Sequence, residues 1–252
     1  MKKKTRWPIY LIIGLIVTFI AFTVPLPYYI EVPGTSEDIR KVLQVNSQPD
    51  QEEGSYQFVT VGVKHARMVD LVYAWLTPFT DIRSAKEMTG GSSDAEFMRI
   101  NQFYMETSQN MAKYQGLKAA GKEIELKYLG VYVLTVTDNS TFKGILNIAD
   151  TVTAVNDKTF ESSKEMVDYV NSQTLGDKVK VTYQEDGKVK TAEGKIITLE
   201  NGKNGIGIGL IDRTEVSSDV PIKFSTAGIG GPSAGMMFSL SIYTQIADPT
   251  LR

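Results

Sequence analysis

Between residues 126 and 198 the chain turns to β-branched runs and two-residue alternation, and this stretch limits the possible folds more than any other. Val131 to Thr137 reads as a strand. Asp150-Thr151-Val152-Thr153-Ala154-Val155-Asn156 reads as a second, closed by a turn at Asn156-Asp157. Val179, Val181 and Tyr183 alternate along a third, Asp186-Gly187 supplies a hairpin turn, and Val189 to Ile197 returns. Ser162-Ser163-Lys164-Glu165 caps a short helix running to about Asn171, with Gly176 beyond its end. Successive side chains of a strand point to opposite faces, so such alternation buries one face of a sheet. The stretch is a compact β-rich unit with one short helix on its surface.

The flanking segments follow other rules. Phe58 to Val63 reads as a strand, and Val69 to Leu76 as a helix that Pro78 ends. Ser93-Asp94-Ala95-Glu96 is a capping box ahead of a long helix that stops at Gly121. Along it Phe97, Ile100, Tyr104, Met111, Tyr114 and Leu117 recur at three- to four-residue steps, a core-facing stripe. Glu31 to Arg40, with Pro33-Gly34, reads as a short stalk, and Gln48 to Ser55 as a turn-rich connector.

Composition removes several kinds of chemistry. The chain has 252 residues and no cysteine, so disulfides, iron–sulfur clusters and thiolate zinc sites are excluded. Its one histidine, His65, leaves no His-based zinc triad, and no metal or cofactor is expected. There are 27 basic against 29 acidic residues, and Lys2, Lys3, Lys4 and Arg6 all precede the first apolar stretch. The remainder is therefore acidic and has no electrostatic footprint for nucleic acid.

From Trp7 to Ile30 no side chain is charged, roughly 36 Å of helix if it were continuous. Trp7 stands at one edge and Tyr28 with Tyr29 at the other, and Pro25 and Pro27 stop the helix. The basic cluster ahead of it places the N-terminus in the cytoplasm. The expectation is an uncleaved single-pass anchor in the lipid bilayer of the cell membrane, with the bulk of the chain extracytoplasmic. A cleaved signal peptide is the rival, but Ala21-Phe22-Thr23 is a poor cleavage site.

Two motifs carry a family resemblance. Tyr128-Leu129-Gly130-Val131-Tyr132-Val133, followed by Ile148-Ala149-Asp150-Thr151-Val152-Thr153-Ala154-Val155-Asn156, resembles a PDZ domain. The resemblance implies that the loop Leu129, Gly130, Val131, Tyr132 and Val133 holds a peptide carboxylate on its backbone N–H groups while the ligand adds a strand to the sheet edge.

The second is Gly228-Ile229-Gly230-Gly231-Pro232-Ser233-Ala234-Gly235, led in by a strand at Val220 to Phe224 and followed by a helical pattern over Met236 to Ile246. Gly-x-Ser-x-Gly is the elbow of α/β-hydrolases, but no histidine follows it here. A P-loop needs a lysine before its Ser/Thr and none is present, so nucleotide binding is not indicated. A glycine-rich packing turn with a capping serine is the plain structural reading.

Gly231-Pro232-Ser233-Ala234-Gly235 also resembles the nucleophile motif of Lon-type proteases. With the apolar N-terminus and the PDZ pattern, the whole chain is similar to the PDZ-containing Lon-like serine proteases. That resemblance implies Ser233 as catalytic nucleophile and Gly230, Gly231 and Ala234 as backbone candidates for the oxyanion site. The lysine base of the family would lie past Arg252, so the chain alone is expected to be inactive. Arginine stays protonated and cannot replace it.

These readings combine into one expectation. The fold is α+β: an N-terminal transmembrane helix, then a Lon-protease-like domain split by an inserted PDZ domain. Its parts are a basic tail (1–7), the anchor (8–28), the first Lon-like part (29–125), the PDZ domain (126–198) and an incomplete proteolytic part (199–252). The function is a membrane-anchored serine endopeptidase that needs no ATP and cleaves secreted or membrane-associated peptides and unfolded proteins captured by the PDZ domain. The alternative is a non-catalytic anchored PDZ protein that only binds peptides.

Overall fold

The computed structural model describes residues 6–248. In chain order the elements are α1 (Trp7–Thr23), β1 (Pro25–Asp38), β2 (Leu43–Val45), β3 (Gln57–Arg67), α2 (Met68–Leu76), β4 (Asp81–Ser84), α3 (Ala85–Thr89) and α4 (Asp94–Ala119). There follow β5 (Glu125–Val136), β6 (Thr151–Val155), α5 (Ser163–Asn171), β7 (Lys178–Glu185), β8 (Lys188–Lys195), β9 (Ile197–Thr198), β10 (Asn204–Gly205), β11 (Ile208–Ser217), β12 (Ile222–Phe224) and α6 (Gly235–Ile246). They divide into two compact units, one up to Glu37 with Val59–Asp94, the other Asp38–Phe58 with all that follows Ala95.

The first unit corrects the membrane anchor. α1 has 17 residues, about 26 Å of helix against a hydrocarbon core of about 30 Å. Pro25 forces Val24 out of helical geometry (φ −81°, ψ 118°), and Pro25–Ile30 join β1. There Tyr28 pairs with Ser84 and Ile30 with Ile82 of β4, and Tyr29 and Ile30 are buried. The uncharged run is thus shared between a helix and a strand, a division that hydropathy does not register. Among the described residues no helix is long and apolar enough to cross a membrane. The transmembrane helix, the bilayer as partner and the single-pass topology fall with it. The basic tail lies largely outside the described residues.

The three-stranded sheet of this unit runs β3-β1-β4. His65, on β3, faces Asp94 with Nε2 2.6 Å from a carboxylate oxygen, and its ring lies 4.3 Å from that of Tyr29. Tyr29 donates its phenol proton to the same carboxylate. Burial and that neighbouring charge push the Tyr29 phenol up to about 12.

The second unit has two apolar clusters. One is the core of a five-stranded antiparallel sheet, order β11-β5-β6-β7-β8, built on Val131, Val133, Val152, Val181 and Tyr183 and covered by Met166 and Val170 of α5. The alternation read from the sequence is the one used: Val179, Val181 and Tyr183 of β7 face this core. Asn156-Asp157 and Asp186-Gly187 all take positive φ, as tight hairpin turns require.

The other cluster brings together residues that precede and follow that sheet in the chain: Ile39, Leu43, Met105, Leu117, Phe238 and Ile242. Here β2 pairs with β12, and α4 crosses α6 at Gly116, where an added Cβ would stand 2.8 Å from the Ser239 carbonyl oxygen. Backbone cannot yield as a side chain can. Gly116→Ala is therefore expected to destabilise the second unit by about 1–3 kcal/mol, read as a lowered melting temperature.

Candidate functional site

β5 is the axis of the site. On one edge Val131 and Tyr132 pair with Val152 and Thr151 of β6, and the Val133 N–H donates to the Asp150 carbonyl (2.9 Å). On the other edge β11 pairs antiparallel along the whole strand, from Ile208 opposite Val136 to Ser217 opposite Glu125. Two register irregularities interrupt this ladder, at Gly209/Leu210 and Arg213/Thr214.

β11 lies on the edge of β5 that faces α5. Ile208 and Leu210 pack on the sheet core, as do Tyr128 of β5 and Tyr169 of α5. At the start of α5 the Ser162 hydroxyl accepts from the Glu165 N–H (3.2 Å), while the Ser163 N–H donates to the Asp212 carboxylate (3.0 Å). A carboxylate at a helix N-terminus meets unpaired N–H groups and the positive end of the helix dipole. The groove between β5 and α5 thus holds a strand by backbone pairing, two aliphatic side chains and one acid.

The fit has a flaw. Tyr128 and Thr214 are register partners, and both of their hydroxyls are buried without a hydrogen-bond partner. An orphaned buried hydroxyl costs about 1–3 kcal/mol. Burial first, then the Asp212 and Glu165 charges, pushes the Tyr128 phenol well up, which keeps its proton in place as an unused donor.

On the opposite face of the sheet, Tyr132 stacks on Phe103 of α4 with ring centroids 3.6 Å apart. A cavity of about 300 Å³ opens beside this pair, lined among others by Arg99, Glu106 and Arg213. The Arg213 guanidinium is taken up by the Thr151 hydroxyl at 2.5 Å. Among the described residues no group of three or more His, Asp or Glu side chains is placed to hold a metal ion.

The residues singled out in sequence fall as follows. Leu129, Gly130, Val131, Tyr132 and Val133 lie within β5: Gly130 to Val133 pair with β11, Val131 and Tyr132 also pair with β6, and Leu129 is passed over where the β11 register shifts. Gly130 has φ +131°, and a Cβ there would stand 2.2 Å from the Val152 carbonyl oxygen. Ser233 is exposed, ahead of the Ala234 cap of α6, and among the described residues its hydroxyl makes no hydrogen bond.

The Gly231 N–H donates to the Asn101 carbonyl of α4 (2.8 Å), so that amide is already engaged. A Cβ at Gly230 would meet Asn101 at 2.8 Å and one at Gly235 the Ser108 hydroxyl at 2.5 Å. Ala234 is fully buried. These small residues let the turn rest on α4. Absent from the sequence reading is β11. Its signal is the period-two series Ile206, Ile208, Leu210, hidden by the glycines between them.

The family model for the PDZ domain matches residues 102–196. Over this region the chain belongs to the PDZ family. It is 35% identical to the PDZ domain of the SdrC-like protein of Listeria monocytogenes, covering 34% of this chain and 93% of that one (TM-score 0.33). To the PDZ domain of the SdrC-like protein of Listeria innocua it is 38% identical over 32% and 92% of the two chains (TM-score 0.31). A solution structure from Geobacillus thermodenitrificans is 30% identical, over 32% and 94% (TM-score 0.29). No curated protein matches.

The expectation of a membrane-anchored serine endopeptidase is corrected by these findings. What the comparisons identify is a PDZ domain, and the helix meant to anchor the enzyme is too short to do so.

Two outcomes follow from β5 and its neighbours. Gly130→Ala is expected to destabilise the sheet by at least about 2 kcal/mol in a denaturant melt, because the added carbon meets backbone at a positive φ. Asp150 is buried, and desolvation raises its carboxyl above the usual carboxylate range against the pull of the Asn147 N–H. The folded chain therefore holds that proton more tightly than the unfolded chain. The stability this contributes is complete below the ordinary carboxylate pKa and lost as pH rises through the raised one. Asp150→Asn is expected to raise the melting temperature at pH 7 and to lose that advantage below the carboxylate range.

Proposed function

We propose that this chain is a peptide-binding protein whose PDZ domain takes up an extended segment of a partner protein by strand addition, without covalent chemistry. The observation that carries this reading is the β5 edge beside α5, which accepts a strand along its whole length and offers an apolar floor and a helix N-terminus for an acidic side chain. PDZ domains bind peptides by adding a strand at such an edge. The family match over residues 102–196 supports the same reading.

The turn around Ser233 is then a packing element. Its glycines stand where α4 comes closest, and one of its amides is bonded to α4. A serine in an exposed turn needs no further role.

The test is a titration of the isotopically labelled chain with end-blocked ten-residue peptides carrying aliphatic residues at alternate positions. Amide shifts are expected to move along Tyr128–Val136 and Ser163–Asn171; a panel that moves none of them sinks the reading. Ser233→Ala is expected to leave peptide affinity unchanged and stability within about 0.5 kcal/mol. Cleavage of the peptides that disappears with Ser233→Ala would contradict the non-catalytic assignment.

A further inference from the structure

We propose that β11 is a resident, exchangeable occupant of the PDZ groove, so that an outside peptide binds by displacing Ile208–Arg213 from the edge of β5. This rests on the peptide-binding reading above and adds to it a form of self-regulation.

β5 has only two edges, and one is committed to β6 and the Asp150 carbonyl. The other is the edge an incoming strand needs, and its ladder is filled by β11 from Glu125 to Val136. Both cannot add to the same N–H and C=O groups, so binding by strand addition to β5 and pairing with β11 exclude each other.

The contacts of β11 are those of a ligand. Ile208 and Leu210 rest on the apolar floor, and Asp212 takes the first N–H of α5. Yet the occupant fits imperfectly. No residue of β11 is fully buried, its ladder is broken twice, and it leaves the hydroxyls of Tyr128 and Thr214 buried and unpartnered. A competing strand that repeats the two aliphatic positions and the acid without the break at Gly209/Leu210 gains what β11 forgoes.

The ends of the segment are held separately. The Gly207 carbonyl accepts from the Thr137 N–H (2.9 Å), and the Thr214 carbonyl from the Asn110 amide (2.9 Å). Ile208–Arg213 can therefore leave the groove as a loop between two fixed points. The apparent affinity for an outside peptide is the intrinsic one reduced by the fraction of molecules in which the segment is out.

A reversible lock tests this. The chain has no cysteine, and a Cβ built on Gly209 stands 3.5 Å from that of Thr135, within disulfide range. The probe is an end-blocked, fluorescent peptide with the sequence of residues 206–217, titrated into the full chain. In the Thr135→Cys/Gly209→Cys protein, oxidation is expected to weaken binding at least tenfold relative to the reduced form. Leu210→Pro/Ile211→Pro, which removes two successive N–H groups, one of them on the edge facing β5, is expected to bind the probe at least tenfold more tightly than the native chain.

Asp212→Ala, the milder change, is expected to tighten binding about threefold, and it keeps the test open should the proline variant not fold. Binding seen only in the loosened variants supports the exchange as well. Equal affinity in the oxidised and reduced forms overturns it while leaving peptide binding intact. Failure of every form, Asp212→Ala included, overturns both.

Discussion

The double pairing of β5 is the constraint on which the rest of the second unit depends. One edge of this strand carries β6 and through it the hairpin β7–β8, while the other carries β11. Its faces are used as fully: Val131 and Val133 enter the sheet core, and Tyr132 turns the other way to stack on Phe103 of α4. A strand so enclosed cannot carry a side chain where neighbouring backbone comes within 2.2 Å, which is why Gly130 stands in its middle rather than in a free loop. The same enclosure gives the groove its occupant, since an edge left open beside α5 would expose unpaired N–H and C=O groups.

Under the proposed exchange, peptide recognition by this domain is a competition within the chain. The groove supplies a ladder, an apolar floor and a helix N-terminus, and β11 uses all three. Its defects, two breaks in register and two orphaned hydroxyls, set how readily it gives way. Strand addition is strong because it satisfies many backbone groups at once, and an internal strand converts that strength into selectivity.

Much of the PDZ sheet was legible from local pattern. Val179, Val181 and Tyr183 alternate because one face of β7 is core, and Asp186-Gly187 reads as a hairpin turn because both residues must take positive φ. The N-terminal run misled for an equally physical reason. Hydropathy counts apolar residues but not where a strand partner waits, and Tyr28–Ile30 are drawn into pairing with β4. At Ser233 the resemblance to a nucleophile motif rests on five neighbouring letters, which do not show what they pack against. The structure puts Asn101 and Ser108 of α4 against those glycines, a contact between segments far apart in sequence.

By itself the sequence determined the order of strands and turns between residues 126 and 198, because alternation, turn residues and helix caps act over a few neighbours. It also determined what chemistry is closed to the chain, since cysteine is absent and histidine occurs once. Only the tertiary structure decided which strand fills the edge of β5, where the apolar N-terminus divides between helix and sheet, and what the glycine turn rests on. Each of these is a choice of partner. A backbone ladder or a close approach of two segments belongs to both sides, and neither side alone spells out the other.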